Sequence, residues 1–455
     1  MPSLSVVILA AGQGKRMQSA MPKVLHAIAG KPMLAHVIDT AASLSPAITT
    51  IVYGHGADMV LNQFKTNATL TWALQSPPKG TGHAVLQAMP YVISSEVTLI
   101  LYGDVPLIEH DTLQRLVNDA ADEKLAWLTT QVDNPSGLGR IIRDAAGNVL
   151  EIVEDKDASV EQRLVTEINT GFLACPTAWL LRWLPMLNNN NAQNEYYLTD
   201  ILKFAVAEGL PVVTHTPANR IEIIGVNSRE QLAMLERQYQ LSIAKKLMAE
   251  GVTLRDPARI DVRGTLNCEE DVTIDVNCIF EGNVTLAKNV FIGANVVLRD
   301  CSLAEGVEIL PFSMIDAATV GRNARIGPYA RIRPGTTIAS DVHIGNFVEV
   351  KASDIAAGSK ANHLSYIGDT TIGSNVNIGA GTITCNYDGV NKHRTVIEDN
   401  VHIGSDVQLV APVTIHAGAT IGAGTTVWKN VPADTLAINE KTQINKNNWQ
   451  RPPKK

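Results

Sequence analysis

The sequence predicts two domains of different construction: an α/β domain with a mostly parallel sheet, then a parallel β-helix, with one helix between them. Three observations predict this. Up to about residue 227, short aliphatic runs alternate with amphipathic stretches, the pattern of a sheet whose strands are joined by helices. From about residue 252 an aliphatic position recurs every six residues, the period of a coil that buries one side chain per short strand and stacks on the coil before it. Between the two, Ser228-Arg229-Glu230-Gln231 reads as a capping box, followed by Leu232, Leu235, Tyr239, Ile243 and Leu247 at helical spacing and by Gly251 as a stop. The divisions are therefore 1–227, a connecting helix over 228–251, a β-helix over 252–437 and a tail over 438–455.

In the first domain, 5–9, 48–53, 97–101 and 125–130 read as strands, with 33–42 and 112–121 as helices. Ligands in such sheets sit beyond the carboxyl ends of the strands. Two motifs fall there: "LAAGQGKRM" from Leu9 to Met17, and "YGDVPL" from Tyr102 to Leu107. The glycine loop matches neither common nucleotide fingerprint. Met17 stands where a dinucleotide motif needs its third glycine, and no phosphate-loop pattern can be drawn through Gly12, Gly14 and Lys15. Two readings stay open: a polyphosphate cradle of backbone N–H groups with Lys15, Arg16 and Lys23 as countercharge, or a tight strand-to-helix turn with solvated cations.

The six-residue phase runs from Val262 to Leu298, from Val320 to Val350 and from Ile397 to Val427, and is lost between these runs apart from a return at Ile372 and Ile378. Such breaks predict loops leaving the coil. They hold Lys351, His363, Tyr366, Asn386, Tyr387 and Lys392, a cluster of groups suited to acid–base work and to binding anions.

Composition narrows the function. At 455 residues, with 45% hydrophobic content and a net charge of −7, the chain is a folded protein without the basic surface that coats nucleic acid, so an anionic ligand must be met by local cations. Small anionic substrates suit it better. Its cysteines, Cys175, Cys268, Cys278, Cys301 and Cys385, are scattered and form no C-x-x-C, which predicts free thiols in a reducing compartment and no zinc site. With neither a secretory leader nor an apolar run of membrane-spanning length, a cytoplasmic location is predicted.

Longer motifs carry a resemblance. "LAAGQGKRMQSAMPKVLH", "GTGHA" at 80–84, "YGDVPL", "EINTG" at 167–171 and "NEYYLTD" at 194–200 resemble the sugar-nucleotide pyrophosphorylases, while "GNFVEVK", "HLSYIGD" and "IGAGTITCNYDG" resemble left-handed β-helix acyltransferases. Together and in this order they are similar to the bacterial bifunctional N-acetylglucosamine-1-phosphate uridyltransferase/glucosamine-1-phosphate acetyltransferase family. The resemblance implies a Rossmann-like nucleotidyltransferase domain and a left-handed β-helix, acting in UDP-N-acetylglucosamine synthesis for peptidoglycan and lipopolysaccharide. It implies glucosamine 1-phosphate, acetyl-CoA and UTP as small-molecule substrates, Mg²⁺ as cofactor and a homotrimer.

It also assigns residues. Leu9, Ala10, Gly12, Arg16, Lys23, Gln75, Gly80, Thr81 and Tyr102 would hold the nucleotide, Asp104 and Asn227 the metal, and Gly139, Glu154 and Asn169 the sugar phosphate. In the second domain His363 would be the general base, with Glu349 orienting it and Asn386 holding the amine. Arg333, Lys351, Tyr366, Asn377 and Lys392 would bind glucosamine 1-phosphate, and Ala380, Asn386, Tyr387, Ser405 and Ala423 acetyl-CoA. One departure stands out: Glu440 takes the place of the family's arginine against the CoA 3′-phosphate, with Lys441 one residue on. From the residues alone, a nucleotidyltransferase for another sugar whose β-helix only assembles the oligomer, or a β-helix scaffold, stays open.

Overall fold

The computed structural model describes residues 3–12, 14–440 and 442–452. The chain divides into two compact units, Met1–Tyr239 and Gln240–Lys455, and the division falls inside the helix Arg229–Ala249.

In the first unit the strands are β1 (Leu4–Leu9), β2 (Ile48–Tyr53), β3 (Leu70–Leu74), β4 (Val97–Tyr102), β5 (Leu125–Gln131), β6 (Arg140–Arg143), β7 (Val149–Val153), β8 (Glu167–Pro176) and β9 (Val212–His215). They form one sheet in the order β9-β5-β8-β4-β1-β2-β3, with the hairpin of β6 and β7 attached to β8. All neighbours along the main path are parallel except β8, which runs antiparallel to both β4 and β5. Alternation along β1 explains its central place. Val6 and Ile8 face one core with α1 (Met33–Ser43) and α3 (His110–Ala121), and Val7 and Leu9 face the other with α2 (Thr81–Val92). A strand covered on both faces reads as a continuous aliphatic run. In register β1 and β4 end together, Leu9 beside Tyr102, so the glycine loop and "YGDVPL" leave the sheet at the same edge.

At the start of the helix Arg229–Ala249, Ser228 Oγ accepts from the Gln231 backbone N–H at 3.2 Å. The Gln231 side chain accepts from the Asn227 N–H at 2.8 Å, one residue earlier than in an ordinary capping box. The cap thereby fixes the backbone of Asn227.

The second unit is a three-sided β-helix. One face is an 11-stranded parallel sheet from Thr253–Leu254 to Leu436–Ala437, and the other two faces together make a 17-stranded sheet. The recurring aliphatics fill the interior: Phe280, Leu286, Ile292, Ile326, Ile344, Ile403 and Ile415 are all buried.

The expectation that lost phase marks loops needs correction. Leu303, Ile309 and Ile315 are buried between Leu298 and Val320, and Ile355, Ala361 and Ile367 between Val350 and Ile372. Phe291 pairs with Glu308, 17 residues on, whereas Thr273 pairs with Phe291, 18 on. Each of these breaks drops one residue at each of two corners, Leu298 to Leu303 and Ile315 to Val320 in the first and Val350 to Ile355 and Ile367 to Ile372 in the second, and the coil continues. Lys351, His363 and Tyr366 therefore sit on strands, Glu349–Lys351, Lys360–His363 and Tyr366–Gly368. A true excursion follows Asn386, because Thr371 pairs with Val396, 25 residues on. It is closed by a bridge between Tyr387 and Lys392, and Asp388 inside it accepts from the backbone of Val390 at 2.8 Å and of Asn391 at 2.6 Å.

Coils this close leave no room at some corners. A Cβ on Gly345 would fall on the Asn362 carbonyl of the next coil, which cannot retreat without opening coil-to-coil hydrogen bonds. Gly345→Ala is expected to destabilise the β-helix by about 1–3 kcal/mol, the scale of overpacking. Gly12→Ala, whose new methyl meets nothing within 4 Å, should stay within about 0.5 kcal/mol, as surface changes do. Urea titration of the two variants compares them.

Candidate functional site

At the strand ends of the first unit lies a cavity of about 310 Å³, lined by Leu9, Ala10, Gly12, Lys23, Gln75, Gly80, Thr81, Tyr102 and Asp104. Eight of the fourteen lining residues are ones assigned to the nucleotide and Asp104 is the one assigned to the metal, with Ala11, Val24, Pro78, Ala84 and Glu195 completing the wall. Arg16, also assigned to the nucleotide, stands exposed on the turn Lys15–Met17. Met17, where a dinucleotide loop would carry glycine, is a core anchor packed with Ile28, Met33, Val226 and Leu235. Gly14 has φ +60°, and a Cβ on it would meet the Cβ of Lys23 at 2.7 Å, so the loop closes directly over that lysine.

Lys23 is the electrostatic centre. Its ammonium pairs with the Asp104 carboxylate and donates to Asn227 Oδ1 at 2.9 Å. Asp104 and Asn227 are drawn together by their backbones as well, since Val226 N–H donates to the Asp104 carbonyl at 3.0 Å. Two oxygens converging on one cation, one anionic and one neutral, are a donor set of the kind Mg²⁺ takes beside phosphate and water. Among the described residues no cluster of three or more His, Cys, Asp or Glu forms a denser metal site.

Gly139, Glu154 and Asn169 also come together. A Cβ on Gly139 would meet Glu154 Oε2 at 3.4 Å and the Asn169 Cβ at 3.5 Å, and Asn169 N–H donates to the Gly139 carbonyl at 2.8 Å. The Asn169 Oδ1 accepts from Trp127 Nε1 at 2.6 Å and from Gly171 N–H at 2.7 Å, which turns its amide NH₂ away from those partners as a donor for a ligand. Burial, reinforced by Asp157, Asp200 and Glu195, pushes the Glu154 carboxyl above the usual range, while the hydrogen bond from Thr199 Oγ1 at 3.1 Å opposes the shift. Thr199 and Trp127 received no role from sequence. Thr199 belongs to the motif "NEYYLTD", but only the folded loop shows which of its residues reaches Glu154.

In the second unit, Arg333, Lys351, Tyr366, Asn386 and Lys392 converge. Arg333 Nη1 donates to Glu349 Oε1 at 2.7 Å. Lys351 Nζ lies 3.4 Å from Asp369 Oδ2, the oxygen that also accepts from the Asn386 amide. Lys392 sits beside Lys351, whose charge, with that of Arg333, lowers its pKa. A Cβ on Gly368 would meet Tyr366 Oη at 2.5 Å and Asn386 Nδ2 at 2.8 Å, so this glycine makes the space in which those groups meet. The assignment of Glu349 to orient His363 meets a different geometry: Glu349 bonds Arg333, and its strand neighbour is Tyr366.

His363 lies exposed on the adjacent face, paired with Asn346, and Asn377 lies on that face too. Ala380, Ser405 and Ala423 follow one another up a single corner, joined by Asp406 N–H to the Ala380 carbonyl at 2.7 Å and Gly424 N–H to the Ser405 carbonyl at 2.8 Å. Tyr387 is exposed on the excursion. Glu440 is exposed, Asn439 Oδ1 accepts from Thr426 N–H at 2.6 Å, and Lys441 lies outside the described residues. Asp369 carries no role that the sequence assigns, although it ends the motif "HLSYIGD". No helix among the described residues is long and apolar enough to cross a membrane.

Comparison with known proteins agrees with both units. The MobA-like NTP transferase domain matches residues 6–171, the GMPPB C-terminal domain residues 262–336, and the bacterial transferase hexapeptide (six repeats) residues 394–427. The chain is 57% identical over 451 residues to the bifunctional protein GlmU of Ralstonia nicotianae, covering 99% of each. It is 58% identical over 451 residues to that of an Azoarcus species, covering 99% of this chain and 100% of the relative. The GlmU of Nitrosospira multiformis is 56% identical over 456 residues, covering 100% of this chain and 99% of the relative.

Thr199 opposes the raised pKa of Glu154, so its removal has a definite sign. In Thr199→Val the Glu154 carboxyl is expected to stay protonated to a higher pH than in the wild type. A carboxyl ¹³C NMR titration checks this; an unchanged or lower pKa would refute it.

Proposed function

The chain belongs to the family of the bifunctional GlmU proteins, and from that premise we propose that it makes UDP-N-acetylglucosamine in two transfers, each housed in one unit. The second unit moves acetyl from acetyl-CoA to glucosamine 1-phosphate. The first moves a uridylyl group from UTP to the resulting N-acetylglucosamine 1-phosphate. The observation that carries this reading is the presence, in each unit, of its own cationic cluster built around a carboxylate: Lys23 on Asp104, and Lys351 on Asp369 beside Lys392.

In uridyl transfer an oxygen of the sugar phosphate attacks the α-phosphorus of UTP, the α–β bridging bond breaks and pyrophosphate leaves. The nucleophile is already ionised at neutral pH, so the protein needs no base. Its task is to bring two polyanions together, and positioned cations and backbone amides reduce that barrier. Lys23 and Arg16 supply charge from the chain itself. Asp104 and Asn227 would hold Mg²⁺, which when bound adds countercharge for the phosphates. Gln75, Gly80 and Thr81 hold the nucleoside, and Gly139, Glu154 and Asn169 hold the sugar.

In acetyl transfer His363 takes a proton from the 2-ammonium of glucosamine 1-phosphate. The amine then attacks the thioester carbonyl, a C–N bond forms, and the C–S bond breaks to release CoA as the thiol. Ala380 N–H stabilises the oxyanion, and Asn386 holds the amine. Arg333, Lys351, Tyr366, Asn377 and Lys392 clamp the sugar phosphate, and Tyr387, Ser405 and Ala423 contact acetyl-CoA.

The active assembly is a homotrimer, in which a neighbouring copy covers exposed His363. A column of exposed apolar side chains supports this. Phe312, Tyr329 and Phe347 stack at 4.9 and 5.3 Å between ring centroids, with exposed Leu364 at the same corner beside His363. The protein acts in the cytoplasm, where both nucleotide substrates are held.

Asp104→Ala is expected to abolish pyrophosphate release from UTP, Mg²⁺ and N-acetylglucosamine 1-phosphate while thiol release from acetyl-CoA with glucosamine 1-phosphate continues. Equal loss of both would contradict separate sites. His363→Ala should slow thiol release by about 10²–10⁴-fold, the range for a general base. A fall below tenfold would remove His363 from that role.

A further inference from the structure

Asp369 is the one carboxylate in the acetyl-transfer cluster not already taken by an arginine. Its neighbour Glu349 is bound to Arg333 at 2.7 Å. A single Asp369 oxygen, Oδ2, faces Lys351 Nζ at 3.4 Å and accepts from the Asn386 amide. The backbone fixes the residue: Asp369 N–H donates to the Lys351 carbonyl at 3.0 Å, and its own carbonyl accepts from Thr395 N–H at 3.2 Å. Its φ of +50° lies in the left-handed region that Asp and Asn tolerate better than most residues.

Two consequences follow from chemistry. Lys351 and Lys392 are like charges side by side, with Arg333 near them. A fixed anion beside such a group offsets the mutual repulsion that disfavours its charged form. The second concerns the Asn386 amide, whose NH₂ is committed to Asp369. Its carbonyl oxygen is then the end left for a ligand, and a carbonyl accepts from the N–H of an amine or ammonium, which an NH₂ cannot do.

We propose that Asp369 is the positioning residue of the acetyl-transfer site, holding Lys351 beside Lys392 as a paired receiver for the sugar phosphate and setting the Asn386 carbonyl as the acceptor for the substrate amine. This deepens the functional reading above and rests on it. The groups facing Lys392 are Lys351, Arg333 and Asp369, and Lys351 also faces Tyr366. Of these charged groups, Lys351 and Arg333 disfavour the charged form of Lys392, and Asp369 favours it. Loss of the Asp369 charge therefore lowers the pH at which Lys392 loses its proton.

The test compares wild type, Asp369→Asn and Asp369→Glu as full-length proteins, with thiol release from acetyl-CoA followed against glucosamine 1-phosphate across pH. Asp369→Asn keeps size and backbone preference but removes the charge. It is expected to raise KM for glucosamine 1-phosphate at least tenfold and to move the alkaline limb of kcat/KM to lower pH, while KM for acetyl-CoA changes less than twofold. Asp369→Glu should restore part of the KM and return the alkaline limb toward that of wild type. Uridyl transfer, in the other unit of the same chain, reports that each variant is folded and should be unchanged. Unchanged KM and pH limb in Asp369→Asn would overturn the proposal, and so would equal loss in both variants with no shift of the limb. Absence of thiol release in the wild type would instead overturn the functional reading beneath it.

Discussion

The hydrogen bonding of one coil to the next is the constraint on which the C-terminal chemistry depends. Strands bonded in this way are about 4.8 Å apart, so outward side chains at equivalent positions of successive coils stand in columns. Arg333, Lys351 and Asp369 come from successive coils, tied by the bonds Arg333 N–H to Val350 carbonyl at 2.8 Å and Asp369 N–H to Lys351 carbonyl at 3.0 Å. A cationic group made this way, proposed to receive a phosphate, is rigid because its spacing belongs to the backbone. The same rigidity forces like charges close together, and the site tolerates them through the carboxylates of Glu349 and Asp369. Neighbouring positions of successive coils thus supply Arg333, Lys351, Glu349 and Asp369, with Gly368 in register with Lys351 and Asp369 next to it, while Lys392 reaches the cluster from the excursion.

The N-terminal unit reaches a similar end without a repeat. Lys23, Asp104 and Asn227 are far apart in sequence and arrive from a loop after β1, a loop after β4 and the residue preceding a helix cap. Three separate devices hold them. Gly14 lets the loop lie on Lys23, Met17 anchors that loop in the core, and Gln231 fixes the Asn227 backbone. A methionine in the glycine position is the physical reason that the loop escapes the dinucleotide fingerprint: its turn is tied down by apolar packing, where a dinucleotide loop uses close helix approach.

Period made much of the fold legible in the sequence. A strand buried on both faces and a coil with one inward aliphatic are both written in hydrophobicity, and β1, β2, β4 and β5 fell within a residue of their expected ends. What hydrophobicity could not express was a corner. A five-residue step from Leu298 to Leu303 leaves the interior filled but breaks a six-residue count, so a shortened corner and a departing loop look alike in sequence. The antiparallel β8 was hidden for a related reason, since strand direction is set by connections and leaves no mark on composition. In the sites, residues carried by motifs were legible in type and neighbourhood. Asp369, Thr199 and Trp127 were not, because each acts on another side chain through a contact that only folding creates.

Both clusters meet a shared difficulty for a chain of net charge −7 whose proposed ligands are all polyanions. The overall field repels them, so attraction must come from cations held at short range, where screening by salt over about 8–10 Å leaves them dominant. An unpaired lysine would meet the need but would lose side-chain entropy on binding. A lysine already bound to Asp104 or Asp369 has given up that freedom beforehand. The carboxylate partner also sets a threshold. A ligand must offer the ammonium more than the carboxylate does, and a phosphate dianion with several acceptor oxygens meets that condition better than a singly charged competitor. Pairing each lysine with an acid therefore serves order and discrimination together, and it explains why an acidic protein can bind phosphates at two separate places without a basic surface.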